Sequence, residues 1–302
     1  MWLLAVALAV DTTRSQFVTV ARGETLHVVQ AGAGPPVVLV PGLFGSAFGF
    51  RLVAPQLDSA GYRTIVIEPL GIGASGRPPE ADYSLTAQAD RLAAVLDSLG
   101  VRQALLVAHS IGGSMALRLA YRRPDLVRGI VSLEGGPAET VTSATFRRAM
   151  QFAPWIRVFG GMKLIRWKVR GTLVASSGNP AWVTDSVVHG YTADAARDLD
   201  ATVLAYVAMS RAHERERLVP RLGAIRCPVL LLVGAAHHEG DIDPADIALM
   251  QRSLHAFALD SVAGAGHFLH EERPREVVAA ILHADTVARA AADPPPPHHD
   301  DR

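Results

Sequence analysis

The stretch Ala104-Leu105-Leu106-Val107-Ala108-His109-Ser110-Ile111-Gly112-Gly113-Ser114 decides how this chain is read. Ala104 to Ala108 is an unbroken apolar run, the pattern of a strand covered on both faces in a parallel sheet. From Ile111 to Arg122 apolar residues recur at helical spacing, and the helix must stop before Pro124. A serine therefore stands on a tight strand-to-helix turn. The backbone bends sharply there, so small residues are required two positions to either side, and Ala108 and Gly112 supply them. Such a turn exposes the hydroxyl, and the helix N-terminus behind it favours developing negative charge. The pattern is G-x-S-x-G with Ala108 in place of the first glycine.

Outward from this junction, further strands are expected at Gln16 to Ala21, Thr25 to Gln30, Val37 to Val40, Thr64 to Ile67, Gly129 to Leu133 and Val229 to Val233. Ser84 to Leu99 carries another helical pattern and ends at Gly100. Alternating strands and helices imply an α/β fold with a doubly wound, mostly parallel sheet. The rhythm breaks between about Pro137 and Gly223, where several helices are expected, so a helical cap is inserted after the sixth strand. The expected division is an N-terminal segment 1–22, a core of 23–137 and 224–290, a cap of 138–223, and a disordered tail of 291–302.

Composition narrows the function classes. The 302 residues hold 29 Lys+Arg and 29 Asp+Glu, which removes the basic footprint that nucleic-acid binding needs. At 49% hydrophobic and 19% charged residues, most of the chain must fold. The single cysteine, Cys227, excludes an internal disulfide framework and reads as a small buried hydrophobe. Trp2 to Val10 is apolar and resembles part of a signal peptide, without its basic start. A cytoplasmic location is expected, with export as the alternative. Gly71-Ile72-Gly73 lacks the third glycine and the helix of a dinucleotide site, so no cofactor is expected. Oligomeric state is left open.

Three more segments follow the same logic as Ser110. They are Val40-Pro41-Gly42-Leu43-Phe44-Gly45-Ser46, Glu68-Pro69-Leu70-Gly71-Ile72-Gly73-Ala74-Ser75, and Gly264-Ala265-Gly266-His267-Phe268-Leu269-His270-Glu271-Glu272-Arg273-Pro274. With Ser110 in its nucleophile elbow, these four motifs resemble the α/β-hydrolase superfamily, in its serine esterase or lipase-like branch with a helical cap. The resemblance runs from about Leu26 to Ala284. It implies Ser110 as nucleophile and His267 as the base that activates it. It implies the backbone N–H groups of Leu43 and Ile111 as the oxyanion hole. His270 takes a packing or capping position, and His109 points away from the chemistry.

Two departures stand out. Position 41 is proline where the family has histidine, which removes hydrogen bonding that holds the oxyanion loop. Glu68, Leu70 and Ile72 replace the usual residues of the glycine-rich turn. Neither change removes a catalytic group.

The acid of the triad is open. The usual place, three residues past Gly234, holds His237. Some family branches take the acid from the end of the preceding strand, and Glu134 in Ser132-Leu133-Glu134-Gly135-Gly136 occupies that place. Asp241 and Glu239 are the alternatives. His237-His238-Glu239-Gly240-Asp241-Ile242-Asp243 also invites a metal reading, but sequence neighbours rarely converge on an ion. It is expected as a solvated loop, and no metal is expected.

The chemistry implied is ester hydrolysis through an acyl-serine, on a small-molecule ester with an apolar group. Phe44, Trp155 and Phe159 are expected to line its pocket. Serine at position 110 excludes the dehalogenase and epoxide hydrolase chemistries, which need an aspartate there. A cofactor-free C–C bond hydrolase, lactonase or perhydrolase is the alternative, and a non-catalytic binding module is a third. From Thr140 through Thr184 there is no acidic residue but there are seven basic ones, Arg147, Arg148, Lys163 and Arg170 among them. This stretch either approaches anionic lipid or a substrate carboxylate, or pairs with the acidic residues from Asp185 onward. The second is expected.

Overall fold

The computed structural model describes residues 13–151 and 161–292. Eight strands form one sheet: β1 (Arg14–Ala21), β2 (Glu24–Gly32), β3 (Pro36–Val40), β4 (Arg63–Ile67), β5 (Ala104–His109), β6 (Val127–Leu133), β7 (Val229–Gly234) and β8 (Phe257–Val262). Their order is β1-β2-β4-β3-β5-β6-β7-β8. The β1–β2 hairpin is antiparallel, β2 runs antiparallel to β4, and all remaining pairs are parallel.

Continuous apolar runs are explained by two cores, one on each face. Along β5, Ala104, Leu106 and Ala108 enter one core while Leu105 and Val107 enter the other. The first core is closed by α2 (Leu85–Ser98) and α3 (Ile111–Arg122), the second by α1 (Ala54–Ser59) and by α10 (Pro274–Ala292), the last described helix. Each fully buried Leu or Val contributes about 1.5–3 kcal/mol relative to exposure. The Ser84 side chain caps α2 by accepting from the Ala87 N–H.

Among the described residues, four α-helices lie between β6 and β7: α4 (Ala144–Met150), α5 (Gly161–Ala175), α6 (Asp185–Arg197) and α7 (Leu199–Arg211). After β7 come α8 (Pro244–Ser253) and, beyond β8, the short α9 (Leu269–Glu272). A small cluster of Leu173, Val183, Val188 and Phe268 joins the inserted helices to the loop after β8.

Two features depart from the sequence reading. The sheet already begins at Arg14, inside the segment 1–22 placed outside the core, because β1 pairs with β2 from Arg14↔Gln30 to Ala21↔Glu24. Strand β8 was not anticipated: four of its six residues face solvent at the sheet edge, so its sequence lacks a buried run. Trp2 to Val10, Trp155, Phe159 and the prolines of the tail lie outside the described residues. No helix among the described residues is long and apolar enough to cross a membrane.

Candidate active site

The backbone at Ser110 is bent to φ 54° and ψ −124°, a conformation costing a non-glycine residue of order 1–3 kcal/mol. Neighbouring elements hold it there. Its N–H donates to the Leu133 carbonyl at 2.8 Å, and its carbonyl accepts from the Gly113 N–H at 2.9 Å. Backbone crowds the turn so closely that a Cβ on Gly135 would lie 2.5 Å from the Ser110 carbonyl oxygen, and one on Gly112 2.9 Å from that of Val40. Although Ser110 is the N-cap residue of α3, its side chain makes no capping bond. The hydroxyl is left for something other than ending a helix.

Ser110 opens into a cavity of about 580 Å³ that Leu43, Phe44, Ile111, Glu134 and His267 also line. Among the described residues the N–H groups of Leu43 and Ile111 have no acceptor, so two donors stand free beside the hydroxyl. The loop bearing Leu43 is held without the histidine that Pro41 replaces. Gly45 N–H donates to the Gly42 carbonyl at 3.0 Å, and the Tyr206 hydroxyl donates to the Leu43 carbonyl at 3.2 Å. The buried Glu68 carboxylate accepts from Ala47 N–H at 2.7 Å and from Ala74 N–H at 2.6 Å, tying this loop to the glycine-rich turn. It also meets His27 Nδ1 at 2.9 Å, which raises the His27 pKa. The residue that departs from the family pattern is thus the one that fastens the loop.

His267 is delivered by the loop between β8 and α9. Its N–H donates to the Ser176 carbonyl at 2.8 Å, anchoring it to the inserted helices. Its carbonyl lies 3.0 Å from His109 Nε2. A carbonyl only accepts, so His109 carries its hydrogen on Nε2 and fastens the His267 loop rather than merely pointing away. Burial holds His267 well below the usual histidine range, with His109 and His238 adding to the effect. Lowering of this kind favours the neutral ring. No hydrogen bond joins it to the Ser110 hydroxyl, and contacts of this type often tighten only when substrate binds. His270 packs against Phe50 with ring centroids 5.4 Å apart, and burial pushes its pKa down to about 3.

Behind His267 stands Glu134, at the end of β6 with φ 51° and 4% exposed. Its Oε1 accepts from the Gly234 N–H at 2.5 Å, while Oε2 and His267 Nδ1 are both buried without hydrogen-bond partners. One ligand-type atom from each of Glu134, His267 and His238 falls within a span of 4.8 Å. Burial raises Glu134 to about 7, opposed by the Gly234 N–H and by His238. The other two acid candidates sit elsewhere. Asp241, its side chain half-exposed, meets His238 Nε2 at 2.8 Å rather than His267. Glu239 is exposed, and its N–H donates to the Ala175 carbonyl.

His238 is what sequence reasoning missed. Expected in a solvated loop, it is buried, because its Nδ1 turns back to the Ala236 carbonyl at 2.7 Å and seats the ring beside Glu134. His238 Nε2 lies 3.8 Å from Glu134 Oε1, wider than the roughly 3.3 Å that separates ligands around a tetrahedral zinc.

On the substrate side, the Phe44 ring lies 5.6 Å from Phe146 and 5.4 Å from Tyr206. It stands between the Ser110 cavity and a second one of about 490 Å³, whose walls include Ile165, Val169, Leu173 and Val203. In the basic stretch, Arg170 pairs with Asp185 and Arg147 donates to the Thr142 carbonyl at 2.6 Å.

Comparison with known proteins bears on this arrangement. The model of the α/β hydrolase fold family matches residues 35–160. Bifunctional epoxide hydrolase 2 of Mus musculus is 36% identical over 118 residues, 39% of this chain and 21% of that protein. The chain thus matches about a fifth of that relative's length. The sn-1-specific diacylglycerol lipase ABHD11 of Mus musculus is 25% identical over 256 residues, 82% of this chain and 80% of that protein. The solved structure of the epoxide hydrolase CorEH without ligand superposes with a TM-score of 0.77 at 20% identity, covering 91% of this chain and 99% of that one. These findings show the α/β-hydrolase fold, with the family's model matched over residues 35–160.

Proposed function

We propose that the chain is a serine hydrolase cleaving carboxylic esters that carry an apolar group, through an acyl-Ser110 intermediate. The observation that carries the reading is the strained Ser110, its hydroxyl uncapped, facing one cavity with His267 and the unpaired N–H groups of Leu43 and Ile111. His267 takes the hydroxyl proton as Ser110 Oγ attacks the ester carbonyl. The oxyanion of the tetrahedral intermediate is received by the two N–H groups. His267 then protonates the departing alcohol, and the same ring activates water to release the acid. Glu134 orients the imidazole and balances its transient positive charge.

The relatives' names, a lipase and epoxide hydrolases, support hydrolysis as the broad class. An epoxide or haloalkane would form an alkyl-enzyme bond, and serine gives an ether that water does not cleave at a carboxylate carbon. The apolar second cavity beyond Phe44 supports an aliphatic or aromatic acyl group.

A panel of p-nitrophenyl esters from acetate to decanoate tests the reading, with lactone and C–C substrates alongside. The wild type is expected to turn over the esters, and Ser110→Ala to lose roughly 10⁴–10⁶ in kcat. Glu134→Gln is expected to lose about 10²–10⁴, with Asp241→Asn and Glu239→Gln near wild type. Retained activity in Ser110→Ala overturns the mechanism. A loss in Asp241→Asn without one in Glu134→Gln moves the acid to Asp241.

A further inference from the structure

Helix α5 has two faces of different character. Ile165, Val169 and Leu173, four residues apart, line the second cavity. Trp167 stands roughly 200° around the helix from Ile165, and it is 64% exposed. Among the described residues no large apolar side chain is more exposed. Lys163 and Val174 lie one turn before and two turns after it on the same stripe, and both face solvent, Val174 at 42%. The Lys168 Nζ lies 4.9 Å from the Trp167 ring centroid, which adds a second cation beside the indole.

The charge around this stripe is of one sign. From Thr140 through Thr184 the sequence has no Asp or Glu. Of the described basic residues in that stretch, only Arg170 meets an acid, Asp185. Arg147, Arg148, Lys163 and Lys168 are exposed and have no carboxylate partner among the described residues. Arginines packed on the sheet are treated differently: Arg91, Arg118, Arg122, Arg123 and Arg128 each meet a carboxylate. On the inserted helices cations stand unmatched, two of them beside the exposed indole.

We propose that this outer face of α5 docks on an anionic phospholipid surface. Trp167 and Val174 enter the boundary between headgroups and acyl chains, and Lys163 and Lys168 meet the phosphates. Tryptophan favours that boundary, and each Lys or Arg near an anionic leaflet strengthens binding about fivefold. The contact is peripheral, one helix lying in the plane of the surface. A second copy of this chain is the wrong occupant, because a two-fold contact sets the same cations against each other. An acidic protein would need a pocket shaped to the indole, whereas a bilayer offers apolar depth anywhere along its surface. The inner face of α5 lines the cavity that shares Phe44, Phe146 and Tyr191 with the Ser110 cavity. Resting on the ester reading above, the substrate class becomes an acyl ester drawn from lipid on the far side of one helix.

The test is flotation of the full chain with vesicles of phosphatidylcholine alone and of an equimolar mixture with phosphatidylglycerol. Wild type is expected to bind the mixed vesicles at least about tenfold more tightly, and to release them as salt rises toward about 1 M. Lys163→Glu is expected to weaken that binding on the order of tenfold, and Trp167→Ala several-fold. Wild type that ignores the mixed vesicles overturns the proposal and leaves an acidic protein as the occupant. Equal binding by wild type and the Lys163→Glu/Trp167→Ala double variant also overturns it, moving the contact to another segment such as Trp2 to Val10. A second readout does not depend on lost binding: brominated acyl chains are expected to quench wild-type tryptophan emission more than that of Trp167→Phe. Equal quenching overturns the proposal. With a long-chain ester carried in the mixed vesicles, the double variant is expected to lose rate in step with its lost binding. The ester reading fails separately: a wild type that binds the vesicles but hydrolyses no ester removes that reading and leaves the docking surface standing.

Discussion

Helix α3, which starts behind Ser110, buries nine of its twelve residues, whereas α4 buries none and α5 only Leu173. The two regions meet at one cavity and are built on different terms. On the sheet side, Ser110 and Glu134 are set by backbone bonds to β6 and β7, and His267 by one to Ser176 just after α5, with glycines admitting contacts that no Cβ allows. On the helical side, Phe44, Phe146 and the walls of the second cavity meet through aromatic edges and aliphatic surface. Such contacts tolerate exchange of side chains, whereas displacing a reacting atom by about 1 Å can cost on the order of 10²-fold in rate. The contrast separates where chemistry is fixed from where selectivity is adjustable.

The strongest way to break the comparison is Gly135→Ala, whose Cβ would meet the Ser110 carbonyl oxygen at 2.5 Å. It is expected to lower kcat by about 10²-fold and stability by about 1–3 kcal/mol, read from ester kinetics and thermal melting. Wild-type kinetics would show that the elbow tolerates displacement.

Next is the pH dependence of the wild type. Because the His267 pKa is held well below the usual range, the ring does not set the acidic limb of kcat/KM. Glu134, raised to about 7, does so, and losing its charge as pH falls costs about tenfold per unit below that value. A limb near the ordinary carboxylate range would sever Glu134 from the chemistry.

Smaller effects belong to the helical side. Phe44→Ala opens the passage between the two cavities and is expected to change KM for decanoate relative to acetate by several-fold, on the order of 1 kcal/mol, while kcat for acetate holds. Smallest of all is Gly171→Ala in the middle of α5, where a Cβ meets nothing within 4 Å. It is expected to stabilise the protein by about 0.5–1 kcal/mol and to leave kinetics unchanged, the opposite of the same substitution at Gly135.

What could be read in advance follows the same division. Strands covered on both faces announce themselves as apolar runs, so β3 to β7 stood out, while β8 hid behind exposed residues and Asp260. The elbow was legible because its geometry demands small residues at fixed offsets from Ser110. His238 was not, since nothing in His237-His238 tells which ring turns inward; the Ala236 carbonyl settles that in three dimensions. Glu68 read as a deviation, and its work as acceptor for Ala47 and Ala74 becomes visible only when β4 and the oxyanion loop lie side by side. His109 likewise gains its role from the His267 carbonyl, far away in sequence.

The central claim is that the Ser110 hydroxyl is an activated nucleophile. Intact-mass and peptide mapping after treatment with a fluorophosphonate test it most directly, because the reagent needs the nucleophile, the base and the oxyanion hole but no knowledge of the natural ester. One adduct on Ser110, absent in Ser110→Ala and much slowed in His267→Ala, is the predicted result. An unlabelled chain, or an adduct on another residue that survives Ser110→Ala, would contradict it.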